Sequence, residues 1–500
     1  MYFLALDVGT THCKAAVVTA TGEIVASSQQ PTPTERTSHG QIYYAPEVFW
    51  QTAVTVMERA WEQAGVKISA LGIASMAETG LLVDSRTGQP QSNVLPWYDT
   101  SAQQEMNRWS REFDPRERFL VTGLRPSPKY GLAKLLWLKA QGVDFTGKVW
   151  LSAADYIAMR LTGRMATEPT LAARTFAYSL RHKNWDQALL SQLGLPEELF
   201  PEVVASGAPI GYCRGEEPLT GLAGVPVGIC GHDHVVATIA LGMLTSGRVL
   251  NSMGTAEVLL GVEEEVELDD AAYDSGLSFG PHVLPGLMAW MGGLSASGGS
   301  VEWIRHILAE PQLTYDDIED MLASLPPGPT GIVYHPYLSG SGAPWPDPHA
   351  RGSFVGLERR HTRGDVLKAV FEGICMAMEL MRQEAGRVTG APLNDIVVVG
   401  GGAKNRQWLQ LKADILGCPL QVVDIPEATL VGAGLLAGMQ TGLITVADVQ
   451  AAALACAQRV IAPNPAVHDA YRWIFAEGFI GLQQSLRQYY QKLAGRDYSV

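Results

Sequence analysis

Two stretches far apart in the chain place glycine and threonine between apolar runs. The first is Asp7-Val8-Gly9-Thr10-Thr11, with Lys14 just beyond, and the second is Ser252-Met253-Gly254-Thr255. A Gly-Thr turn joining two strands presents backbone N–H groups and hydroxyls at its tip, an arrangement that cradles phosphate oxygens. Asp7 closes an apolar run. A buried carboxylate needs a partner or a metal ion to offset its desolvation, and magnesium held with a nucleotide would serve. Lys14 would add a point charge beside the phosphates. Without a ligand, each stretch reads as a hairpin with a polar turn. Asp233, in Gly231-His232-Asp233-His234, follows another short apolar run. Its flanking histidines could ligate zinc, but no further His/Cys cluster stands nearby in the sequence. Gly400-Gly401-Gly402 could be a dinucleotide turn, but it lacks the G-x-G-x-x-G spacing.

The elements that would carry these groups alternate between strand and helix, which makes the class α/β. Strands are expected at residues 3–8, Ala15–Val18, Ile24–Ser27, Ala70–Ser75, Val225–Cys230, Asp395–Val399 and Leu420–Val423. Residues Gln29–Tyr44 read as a surface loop. Pro46–Ala64 reads as a helix with Val48, Thr52, Met57 and Trp61 inward. Asp233 is expected on a loop and Gly292–Gly299 as a flexible Gly/Ser stretch. Helices are expected over Asp365–Val388, Thr429–Met439 and Val467–Leu493. The Gly-Thr hairpin opening each half suggests a duplicated architecture. Five hundred residues exceed one core, so two domains are expected, 1–243 and 244–500.

Composition narrows the partners. A net charge of −14 argues against nucleic acid, which would want a basic face. The six cysteines form no C-x-x-C pair and sit among apolar neighbours, as reduced thiols of a cytoplasmic protein do. No signal peptide is apparent, and no apolar run reaches membrane-spanning length.

Taken together, these motifs resemble the FGGY family of carbohydrate kinases, within the actin-like, hexokinase-type ATPase fold. The two Gly-Thr stretches look like that family's phosphate motifs. Gly400-Gly401-Gly402-Ala403-Lys404-Asn405, with Gln410 and Ala413-Asp414 behind it, looks like its adenosine motif. Lys129–Trp137 and the run from Arg351 to Gly373 are similar to its two signatures. The resemblance covers residues 3–480, and its motifs stand in the family's order.

It implies two actin-like (ribonuclease H-like) domains with a nucleotide cleft between them, and ATP and magnesium as cofactors. The implied activity is transfer of the γ-phosphoryl group of ATP to a hydroxyl of a small sugar or polyol. Asp233 would be the catalytic base and, with Asp7, would serve the metal. Gly9, Thr10, Thr11, Lys14, Gly254, Thr255, Gly298, Gly401, Gly402, Ala403 and Asn405 would hold the nucleotide. Ala77, Glu78, Trp97, Asp99, Lys129 and Asp233 would meet the acceptor. Three positions depart from relatives: Ala77 and Ser101 replace arginines, and Lys129 replaces the glycerol-kinase tyrosine. A homodimer or homotetramer is the assembly that the resemblance implies. A competing reading, a non-catalytic actin-like assembly protein, would keep both hairpins but has no use for Asp233, Glu78 and Asp99. Read without a substrate, Glu78 and Lys129 are a solvated pair at a cleft rim.

Overall fold

The first apolar run forms strand β1 (Tyr2–Val8), and the run after the Gly-Thr-Thr turn forms β2 (His12–Thr19). They pair antiparallel from Tyr2↔Thr19 to Val8↔Cys13, which leaves Gly9, Thr10 and Thr11 as the tip. A Cβ on Gly9 would lie 2.8 Å from the His12 carbonyl oxygen, so the tight tip requires glycine. The computed structural model describes residues 1–38, 40–456 and 458–494; the last six residues of the expected second domain lie outside that range.

Four more strands complete the first sheet: β3 (Ile24–Pro31), β4 (Ala70–Ser75), β5 (Pro209–Tyr212) and β6 (Pro226–His232). Their order is β5-β6-β4-β1-β2-β3. Strands β1, β4 and β6 run parallel, with Val8 beside Ser75 and Ser75 beside His232. Their carboxyl ends therefore stand side by side, the position where α/β sheets bind ligands.

A second sheet repeats this plan. Strands β7 (Arg248–Met253) and β8 (Glu257–Glu263) form a hairpin, and β9 (Asp395–Val399) lies parallel to β7 as β4 does to β1. Strand β10 (Leu420–Val423) follows in parallel and β11 (Gln458–Ile461) in antiparallel.

The chain divides into two compact units. The first holds Met1–Leu244, Phe279–Ala289 and Glu427–Cys456; the second holds the rest. A single division at 243/244 differs from this in two segments. The larger contains the helix Ala428–Gln440, whose small residues explain its place in the first unit. A Cβ on Gly432 would lie 2.2 Å from the Val236 carbonyl oxygen, and one on Gly72 would lie 2.3 Å from that of Ala433. The helix thus touches strand β4 on one side and the helix Asp233–Ala240 on another, backbone to backbone.

Other local expectations shift. Strand β3 runs on to Pro31, and Glu35–Arg36 pairs with Ile42–Tyr43, so 29–44 is not simply loop. In the helix Pro46–Ala64, Val48 is exposed; Phe49, Trp50, Ala53, Val56, Met57 and Ala60 make its buried face. Residues 292–299 are divided between the strand Met288–Leu294 and a helix opening at Gly298. The C-terminal helix is interrupted by a π-helical segment, Ile474–Ile480. Five cysteines are buried, Cys456 is half-buried, and all six are free. Among the described residues no helix is long and apolar enough to cross a membrane.

Candidate functional site

In the first unit, three adjacent strand ends deliver Asp7, the segment Met76-Ala77-Glu78, and His232-Asp233. Strand β6 extends through His232, and Asp233 opens the helix Asp233–Ala240 directly, with no loop between. A bulge between Ile229 and Gly231 bends the strand just before it. Gly231 has φ +122°, and a Cβ there would lie 2.5 Å from Thr170 Oγ1. That hydroxyl oxygen accepts the His232 N–H at 2.8 Å and donates to Glu168 at 2.5 Å. Glu168, wholly buried, also accepts from Leu171 N–H and Ser206 Oγ, so the strand end is anchored in a closed network.

Asp233 is a quarter exposed. Its Oδ1 accepts the His234 N–H at 2.6 Å, with His232 Nε2 at 3.3 Å. Burial, with further pressure from Arg174 and His234, lowers the His232 pKa to about 4 against the pull of Asp233, so the imidazole is neutral at pH 7. The two histidines do not form a zinc site: among the described residues no group of three or more metal-binding side chains converges.

Asp7 has one carboxylate oxygen, Oδ1, buried with no hydrogen bond. Burial first, then the charge of Asp233, push its pKa well above the usual carboxylate range, against the pull of Lys14. Two facing carboxylates with an orphaned oxygen fit a divalent cation that keeps part of its water shell, as magnesium does. Lys14 does not hang free; Glu427 clamps its ammonium at 2.9 and 3.0 Å. At the tip, Thr10 Oγ1 accepts the Trp97 indole N–H at 2.9 Å, and Tyr44 Oη donates to the Thr10 carbonyl. Trp97 is thus tied to the hairpin and remains 41% exposed.

Glu78 is no solvated rim residue. Its side chain is only 7% exposed and its backbone sits at φ +60°, a left-handed conformation that costs free energy for a non-glycine residue. Arg174 donates to Oε1 through Nε at 2.8 Å and also through Nη2, and Lys129 Nζ lies 3.4 Å away. Beneath it, the buried Lys134 ammonium donates to the Glu78 and Leu95 carbonyls. Burial pushes the Glu78 carboxyl up, but Arg174, then Lys129, pull it well below its usual range.

Arg174 escaped the sequence reading. Its signal was the one charged residue in the stretch Leu171 to Tyr178, where a buried guanidinium needs a carboxylate. It caps the short helix Pro169–Ala173 and lies over the Tyr130 ring at 5.6 Å. Two expected acceptor residues are not gathered with these. Ala77 is buried in the apolar core. Asp99 spends its oxygens on the N–H groups of Ile42 and Ser101.

The depressed Glu78 pKa has a pH signature. The unfolded carboxylate titrates near 4.5. A folded value below this gives stability that is fully present above pH 4.5 and is lost as pH falls through the folded value. The stability gap between wild type and Glu78→Gln, read by thermal unfolding, should be widest at neutral pH and shrink below pH 4.5. A gap constant across that range would mean that the carboxylate charge is not what Arg174 and Lys129 hold.

In the second unit, Gly254, Thr255, Gly298, Gly401, Gly402 and Asn405 line one cavity of about 520 Å³. Gly298 and Gly299 donate backbone N–H groups to the carbonyls of Gly254 and Thr255, at 3.2 and 3.0 Å. A Cβ on Gly298 would lie 2.6 Å from the Gly254 oxygen. Asn405 caps the helix Arg406–Leu416 through Oδ1. Phe371 and Trp408 supply apolar wall, enough for a flat base above a glycine-rich phosphate end. Ala403 is buried and does not line the cavity.

Residues 2–240 match the N-terminal domain, and residues 249–441 the C-terminal domain, of the FGGY family of carbohydrate kinases. A xylulose kinase of Staphylococcus xylosus is 28% identical over 449 residues, covering 88% of this chain and 90% of the relative. A glycerol kinase of Thermus brockianus is 31% identical over 471 residues, covering 90% and 92%. The ligand-bound xylulose kinase structure from Lactobacillus acidophilus superposes with a TM-score of 0.90 at 25% identity, covering 98% of this chain and 99% of that one.

Proposed function

The chain belongs to the FGGY family of carbohydrate kinases and uses ATP; from that premise we propose how its own residues divide the work. The observation that carries this reading is the convergence of Asp7, Glu78 and Asp233 at three adjacent strand ends. An uncharged hydroxyl has no field to steer it. Glu78, held by Arg174 and Lys129, orients the acceptor by accepting hydrogen bonds at its second oxygen. Asp233 accepts the hydroxyl proton as the oxygen–phosphorus bond forms and ADP departs. The backbone N–H groups and hydroxyls of the Gly9-Thr10-Thr11 tip hold phosphoryl oxygens. Asp7, with Asp233, would hold magnesium, which would neutralise phosphate charge.

The acceptor class is a polyol or ketose. In this chain Arg174 supplies, from a different segment, the guanidinium beside the glutamate that glycerol kinases carry at the position of Ala77. The free thiols support a cytoplasmic location.

The test is ADP release across ketoses, polyols and sugar acids, followed by Glu78→Ala and Arg174→Ala on the best acceptor. Removing a charged hydrogen bond costs about 1.5–3 kcal/mol, roughly ten- to a hundredfold. That loss should fall on the acceptor's Michaelis constant, with the constant for ATP nearly unchanged. Equal effects on both substrates would remove Glu78 from the acceptor site. ADP release independent of any acceptor would favour the assembly reading.

A further inference from the structure

The second unit holds another cavity, of about 430 Å³, lined by none of the residues assigned above. Its walls are the turn bearing Trp345 and Asp347 and the C-terminal helix bearing Arg487 and Tyr490. The turn is closed on itself. Ser341 and Asp347 exchange backbone hydrogen bonds at 2.9 and 3.1 Å, and the Ser341 hydroxyl donates to the Trp345 carbonyl at 2.7 Å. Gln483 Nε2 fixes Tyr337 Oη at 2.8 Å on the other side. The π-helical segment Ile474–Ile480 ends at this wall, and such windings are rare and concentrate at functional sites.

Asp347 is 4% exposed. Its Oδ1 accepts the His349 N–H at 2.9 Å, but its Oδ2 is buried with no hydrogen bond. Arg487 Nε stands 3.3 Å from Oδ2 without the alignment of a hydrogen bond, and that arginine is half exposed. The buried carboxylate backs the half-exposed Arg487 guanidinium, which lines the cavity and keeps N–H donors for a ligand.

A cation does not suit it, because the guanidinium already stands there. Adjacent hydroxyls do: they accept from the half-exposed Arg487 guanidinium. Tyr337, Trp345 and Tyr490 line it, and an aromatic face suits the weakly positive C–H face of a sugar ring. Size and lining are those of a small-molecule site. We propose that this pocket is a second binding site, for a small polyhydroxylated ligand. It stands independently of the roles given to Glu78 and Asp233.

The test uses the full chain with Glu78→Ala, which weakens the acceptor site. Glycerol, xylitol, D-xylose and D-glucose serve as probes, read by saturation-transfer NMR. At least one probe should bind, and adding Trp345→Leu or Asp347→Asn should weaken it tenfold or more. Unchanged ATP binding in Trp345→Leu shows that the fold is intact. No signal from any of the four probes, or a signal indifferent to Trp345→Leu, overturns the proposal. So does binding of benzylamine through Asp347 in preference to all four, since that would make the pocket a cation site.

Discussion

Asp233→Asn should lower the rate of sugar phosphorylation by about a hundred- to ten-thousandfold, the usual worth of a positioned general base, while ATP binding by calorimetry stays nearly unchanged. The amide keeps the shape of the carboxylate and can still accept the His234 N–H that fixes Oδ1 at 2.6 Å. It cannot take a proton. The backbone beneath it is held by groups the substitution leaves alone: the bulge before Gly231, the Thr170 hydroxyl on the His232 N–H, and the buried Glu168 behind it. Thr429 also reaches the Asp233 carbonyl at 3.4 Å. The fold around residue 233 should therefore survive, and the loss should appear in turnover. Near-normal turnover would end the assignment of Asp233 as base. Loss of ATP binding together with turnover would move it to the nucleotide or metal site, beside Asp7.

What could be read in advance follows from how each feature is encoded. The hairpin tips were legible because a Gly-Thr turn between apolar runs is a local pattern, and β1–β2 and β7–β8 form as that pattern requires. Asp233 was legible from its motif, but its setting was not. The extension of β6 to His232 depends on a bulge and on Thr170, sixty-two residues away in sequence. Arg174 was missed for the same reason: its partner Glu78 lies ninety-six residues earlier. Asp99 and Ala77 came from the family resemblance; what the sequence did not show is that Asp99 accepts the N–H groups of Ile42 and Ser101 and that Ala77 packs in the apolar core. Gln410 and Asp414 behave likewise. Gln410 Nε2 donates to Asp414 Oδ1 and to the Ala462 carbonyl, and Asp414 Oδ1 accepts the Asn464 N–H, tying helix to chain. Sequence spacing finds the residues on one element. It does not find what comes to meet them.

Lys412→Met should destabilise the second unit by about 3–5 kcal/mol, because it strands a buried charge. Lys412 and Glu257 are both wholly buried and paired, and Lys412 Nζ also donates to Asn251 Oδ1 at 2.8 Å. Glu257 accepts from Asn251 Nδ2 at 2.8 Å and from Ser297 Oγ at 2.6 Å. Methionine fills much of the same volume but leaves the carboxylate with two neutral donors and no cation. The same network supports the nucleotide cavity, since Ser297 precedes Gly298 and Glu257 follows the Gly254-Thr255 tip. ATP affinity should fall along with stability. Pairing Lys412→Met with Glu257→Gln removes the stranded charge and should recover much of the loss, as replacing a whole buried pair often costs little. The control is Arg387→Ala, which breaks a half-exposed pair with Glu384 and should change stability by less than about 1 kcal/mol. Thermal unfolding of wild type and the three variants decides the matter. A Lys412→Met protein as stable as Arg387→Ala, or a double variant no better than the single, would mean that the network does not hold a charged glutamate, and that the second hairpin owes its position to packing alone.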